Sequence, residues 1–283
     1  MTTIQIIFGL LITLFFAARA FSVKIGTKTL DSSTITLSSS LFLVCVTVIM
    51  AIIMDDWFVL PNLSFGDSLI AVFGAIAKGI SLYFAVKFTA EVARESNSSS
   101  VFAGFIALGI AAPLLGEAIT TWQLLSCVLL GVLGFAFFAR GPAAELDKSG
   151  KITFAFLIIS LIACMTMDRI TIPVSGWFFY FAVSNITFFV LSLIACMKKS
   201  GFKFVHNFSF PIMWAIGIIF TLGEITVIYS YEEILTVTMG SLFIRMATPI
   251  VMVASAFLWK ESTPQKQLAF GILALLLAIP ILL

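Results

Sequence analysis

Gly116 to Gln123 reads GEAITTWQ, and Lys260 to Gln267 reads KESTPQKQ. A shift of 144 residues lays Glu117 on Glu261 and Gln123 on Gln267. Each stretch is a short polar turn between two long apolar runs, and after each one further apolar run follows. The same shift lays Gly79 on Gly223 and keeps the other apolar runs roughly in phase. A matched polar turn inside matched hydropathy is the mark of a doubled unit of about 140 residues.

The solvent of that unit is lipid. The chain has 283 residues, 61% of them hydrophobic and 11% charged, with mean hydropathy +1.16. A soluble domain carries about 25% charged residues. Helices of about 20 apolar residues span a bilayer, and ten candidates stand near 3–23, 35–54, 66–88, 98–115, 119–139, 152–172, 177–197, 209–230, 235–258 and 265–283. No segment alternates with the two-residue period of a barrel strand. The expected fold is an all-α polytopic membrane protein of ten helices. The first apolar run lacks the basic leader and small-residue cleavage site of a signal peptide, so it reads as a retained first helix.

The longest polar linker, RGPAAELDKSGK at 140–151, divides residues 1–139 from 152–283. Five helices per half is an odd number, so the second half enters the membrane in the opposite sense. The expectation is two inverted five-helix repeats, with a site between them near the bilayer midplane. Of 16 Lys and Arg, three lie within apolar runs, twelve in odd-numbered connections, and only Arg169 in an even-numbered one. Positive residues stay cytoplasmic, which places the odd connections inside and both termini outside.

Ten helices in two halves, each with a Glu-containing turn before its last helix, resemble the drug/metabolite transporter superfamily, in its ten-helix EamA branch. The motifs in the second half are Pro249, LWKE at 258–261, Gln267 and Gly271. The first half has LGE at 115–117 and Gln123, but its proline, Pro113, is close to the turn, and Cys127 replaces a glycine. The resemblance implies a secondary transporter whose cavity is lined by the first, third and fourth helices of each half. It also implies cytoplasmic termini, against the charge pattern, which is followed here because it comes from this chain.

A charge at the bilayer centre costs about 2.5–3.5 kcal/mol on insertion scales and is a functional hypothesis by default. Lys78 in the third run, Glu224 in the eighth and Arg245 in the ninth meet that description. Under an inverted repeat they face one cavity, where the cations hold a carboxylate or phosphate and Glu224 holds an amine or takes a coupling proton. The competing reading is that Glu224 neutralises Lys78 or Arg245 and fixes packing. Arg19 and Asp168 sit nearer helix ends. Arg19 can snorkel to the interface, and Asp168 neighbours Arg169. Both are counted as candidate pathway residues.

Tyr83, Tyr229 and Tyr231 share helices with Lys78 and Glu224 and are candidate stacking groups. Trp177 to Phe181 reads as an interfacial aromatic belt, Asn185 as a partner for a neighbouring helix, and His206 as solvated. Glu117 and Glu261 read as caps or loop partners. Cys45, Cys127, Cys164 and Cys196 all stand inside apolar runs, as small packed hydrophobes and not a disulfide framework.

No HExxH, GxSxG, Walker-type or CxxC motif is present, and net charge +2 without a basic–aromatic groove argues against nucleic acid. No enzyme activity, cofactor or metal is expected. The expected partners are a small-molecule substrate, the lipid bilayer and a candidate coupling proton, with the chain a monomer or weak homodimer in a cell inner membrane. The substrate expected is a small charged or zwitterionic metabolite such as an amino acid or derivative. Export of bulky cationic or aromatic compounds is the alternative.

Overall fold

In the computed structural model of the chain, residues 2–54, 63–117, 120–140, 146–259 and 264–282 are described. The helices are α1 Thr3–Gly26, α2 Ser32–Met54, α3 Phe65–Glu95, α4 Asn97–Leu115, α5 Thr121–Arg140, α6 Lys148–Ser175, α7 Trp177–Ser200, α8 Pro211–Glu233, α9 Val237–Leu258 and α10 Pro264–Leu282. A 3-10 turn, Gly201–Ser209, joins α7 to α8. Among the described residues there is no strand, and nine helices, α1 to α9, are long and apolar enough to cross a bilayer. The chain is a multi-pass membrane protein.

Helix starts follow from capping chemistry. Thr2 and Gln5 form a reciprocal box at the head of α1, and Ser64, Ser96, Asp147 and Thr236 each accept a backbone N–H of α3, α4, α6 and α9. Such caps satisfy donors that a helix leaves unpaired. Gly116 ends α4 at φ 61°, a left-handed conformation that costs glycine nothing. Residues 260–263, with Glu261, and residues 141–145 of the linker at 140–151 lie outside the described residues.

The third helix is longer than its apolar run. Hydropathy stops near residue 88, but α3 continues to Glu95, so Lys87 and Arg94 belong to a helix and not to a connection. Charged residues prolong a helix readily once it has left the hydrocarbon.

Helix α1 packs on α8 and α9; α6 packs on α3 and α4; α2 packs on α7 and α8, and α7 on α3. Helices α4 and α9 pack on each other, α5 on α4 and α10, and α10 on α9. The largest core cluster centres on α4, where Phe102, Phe105 and Ile106 meet Phe137 of α5, Phe154 of α6 and Phe243 of α9. The Phe102 and Phe137 rings stack at 3.9 Å. Exposed Leu14, Ile53, Phe73, Val132, Ile159 and Phe257 form an outer apolar surface suited to acyl chains.

Lipid and protein interior are equally apolar, so helices associate through close packing and hydrogen bonds more than through burial of oil. Both devices are present. Thr13 donates to the Phe243 carbonyl at 2.9 Å, joining α1 to α9, and Ser38 donates to the Met213 carbonyl, joining α2 to α8. Asn185 of α7 reaches Thr47 of α2 at 3.5 Å. Between α4 and α5, a Cβ on Gly131 would lie 2.8 Å from the Gly109 Cα, so these backbones touch. Gly131→Val is therefore expected to cost about 1–3 kcal/mol by overpacking, read as a fall in Tm of the detergent-purified protein. Gly66→Ala, whose nearest neighbour is 3.9 Å away, should leave Tm nearly unchanged.

Candidate functional site

At the end of the bundle that carries the N-terminus and the α4–α5, α6–α7 and α8–α9 connections, a cavity of about 680 Å³ opens between the helices. Its walls include Gln5, Glu117, Arg169, Glu232 and Thr236, and it reaches Asp168 and Tyr231. Below this vestibule the chain has gathered its membrane-embedded charges.

Lys78 of α3 and Asp168 of α6 form the tighter pair. The ammonium Nζ lies 2.8 Å from Oδ1 and 2.9 Å from Oδ2, and both side chains are almost fully buried. Tyr180 of α7 donates its hydroxyl to Asp168 Oδ1 at 2.5 Å. The carboxylate thus holds a cation and a hydroxyl from two other helices. Gly79, beside Lys78, brings α3 against the backbone of α7 at Ser184.

Arg19 of α1 and Glu224 of α8 form a looser pair. Nη1 stands 3.8 Å from Oε1, with side-chain exposures of 14% and 8%. That distance is an ion pair without a hydrogen bond. The Arg19 guanidinium also lies over the Phe220 ring, 4.0 Å from its centroid, a cation–π contact that strengthens when desolvated. Lys78 and Glu224 lie within electrostatic range of each other, so the two pairs form one cluster.

Arg245 of α9 completes it. A Cβ on Gly104 of α4 would strike the Arg245 guanidinium, so Gly104 supplies the room this side chain occupies. Arg245 Nε is buried and, among the described residues, has no hydrogen-bond partner. Arg19 and Tyr231 are its electrostatic neighbours. The Tyr231 hydroxyl lies 3.3 Å from Ser241 Oγ, over Gly240, where a Cβ would meet the ring.

The pairing differs from the competing reading. There Glu224 neutralises Lys78 or Arg245, and its partner is Arg19. Lys78 takes Asp168, a candidate pathway residue that the sequence placed nearer a helix end. Arg19 turns inward to Glu224 and does not snorkel. The reason is depth: both helices carry their charge into the low-dielectric interior, where each seeks the opposite charge on the helix packed beside it.

Of the tyrosines, Tyr231 reaches the cluster. Tyr229 is 38% exposed and packs edge-on to Trp177 and near Phe8, and Tyr83 packs beside Phe84. Tyr180 escaped the sequence reading because it stands inside an aromatic run read as an interfacial belt. A hydroxyl among four plain rings was the available signal.

The turn of the opening stretch has a clear task. Glu117, its side chain 4% exposed, accepts from the backbone N–H groups of Val237 at 3.0 Å and Thr238 at 2.7 Å. It thereby caps α9, a helix of the other half, and lies 3.6 Å from Arg169 Nε. Helix α5 is capped instead by Thr120 and Gln123, which bond each other's backbone. His206 is exposed, as expected.

No family model matches the chain, and no curated protein matches it.

Removing one member of a buried ion pair leaves an uncompensated charge at about 3–5 kcal/mol, while replacing both members by apolar groups is often neutral. Lys78→Met alone is expected to lower Tm sharply. The double variant Lys78→Met with Asp168→Leu should recover most of that loss, measured by melting in detergent.

Proposed function

We propose that this chain is a secondary transporter of the drug/metabolite type, resembling its ten-helix EamA branch. It moves a small charged or zwitterionic organic metabolite, such as an amino acid or derivative, across a cell inner membrane by alternating access. In this reading α1–α5 and α6–α10 are two five-helix repeats of inverted topology.

The helix pairings support the repeat. Exchanging the halves carries α3 on α6 into α8 on α1, α4 on α6 into α9 on α1, and α3 on α7 into α8 on α2. The contacts α2–α7, α4–α9 and α5–α10 map onto themselves. Such a graph is what a pseudo-two-fold axis in the membrane plane produces.

One observation carries the function. The two buried ion pairs lie on corresponding helices with their charges reversed: Lys78 on α3 holds Asp168 on α6, and Glu224 on α8 holds Arg19 on α1. Each pair ties a helix of one half to a helix of the other, and Asp168 of the first pair lines the vestibule that opens at one end. Charge pairs that join two rocking halves at membrane depth are costly to place for packing alone. They suit a site where substrate exchanges for an internal partner. The export of bulky cations, the alternative reading, requires a carboxylate free to take the ligand, and both carboxylates of the cluster are engaged.

The test is counterflow in proteoliposomes with labelled amino acids and their deaminated and acylated derivatives. Flux of at least one compound above protein-free vesicles is expected, with a loss of tenfold or more in Lys78→Ala. Vesicles with no flux for any compound would overturn the transporter reading.

A further inference from the structure

The charges of the cluster do not cancel. Asp168 is held by Lys78 and Tyr180, and Glu224 faces Arg19. Arg245 has no carboxylate opposite it among the described residues, and its Nε is enclosed without a partner. Three cations against two carboxylates leave one positive charge in a low-dielectric interior. A guanidinium with an enclosed, unpartnered Nε and no counter-ion at membrane depth is expensive and is expected to find one.

The surroundings say what kind. Arg245 and Arg19 are electrostatic neighbours on the packed helices α9 and α1. Arg19 is held only loosely by Glu224, at 3.8 Å. Two guanidiniums, one with its Nε unpaired and one weakly paired, are N–H donor groups of the kind that recognises a planar carboxylate. Tyr231 connects this corner to the vestibule, since it lines the cavity and neighbours Arg245. For an ammonium the site has nothing: neither carboxylate is free, and the local field is positive.

Resting on the transporter reading, we infer that the substrate is a singly charged organic carboxylate without an ammonium group, its carboxylate held by Arg245 with Arg19. One negative charge neutralises the cluster. A phosphate monoester, which carries about −1.5 to −2 at pH 7, overshoots.

The experiment is thermal melting of the full-length protein in detergent with matched ligands. The aromatic set is 3-phenylpropionate, phenylalanine, phenethylamine and phenyl phosphate. The aliphatic set is butyrate, 2-aminobutyrate, butylamine and butyl phosphate. At concentrations well above Kd, the carboxylates are expected to raise Tm by about 2–4 °C and the other members by less than a third of that. Arg245→Gln should abolish the shift, and Arg245→Lys should retain part of it. Stabilisation by the amino acid, amine or phosphate equal to that by the carboxylate overturns the inference while leaving a transporter in place. So does a carboxylate shift unchanged in Arg245→Gln. Silence of every compound, together with no flux in vesicles, removes the transporter reading and the inference with it. The wild-type comparison needs no variant, so poor folding of Arg245→Gln does not blunt the result.

Discussion

A charge carried into the hydrocarbon by one helix has to be met by another helix. Lys78, Asp168, Arg19 and Glu224 obey this constraint in two pairs, and much else in the bundle is arranged to satisfy it. Gly79 lets α3 approach α7 closely enough for Tyr180 to share Asp168. Phe220 offers its face to Arg19 from the same helix that supplies Glu224. The apolar clusters on either side exclude water and so raise the cost of leaving any of these groups alone. The pairs themselves are weak evidence of stability, since a hydrophobic pair of the same volume packs as well. What they supply is a specific register between α3 and α6 and between α8 and α1.

The helices were legible because hydropathy is a one-dimensional signal and the bilayer imposes a fixed length on it. Where charge extends a helix beyond the lipid, as in α3 from Lys87 to Glu95, hydropathy ends early and the boundary was misplaced. Lys78, Glu224 and Arg245 stood out for the same one-dimensional reason, as charges inside apolar runs. Their partners did not. Which side chain meets which depends on helix rotation and on neighbours distant in sequence. The 144-residue shift also hid the second pair, because Arg19 and Asp168 are not aligned by it. Tyr180 was hidden by its company, and Tyr229 turned outward although it shares a helix with Glu224.

The asymmetry of the cluster bears on motion. Lys78 and Asp168 form a two-oxygen contact beside the open vestibule, while Arg19 and Glu224 sit at ion-pair distance away from it. On the proposed alternating-access reading, two pairs on corresponding helices with unequal tightness fit one of two end states. Discrete alternatives of this kind arise because packed interfaces are bistable and not continuously deformable.

The cap that Glu117 places on α9 also has a place in time. Donor and recipient lie 120 residues apart along the chain. At about 5–20 residues per second of synthesis, the α4–α5 turn waits roughly 6–24 s for the helix end it will hold. During that interval the carboxylate has no backbone to bind, and the rim of the vestibule is unfinished. The mouth of the bundle is thus one of the last parts to set, closed by an acid that left the ribosome long before the helix it secures.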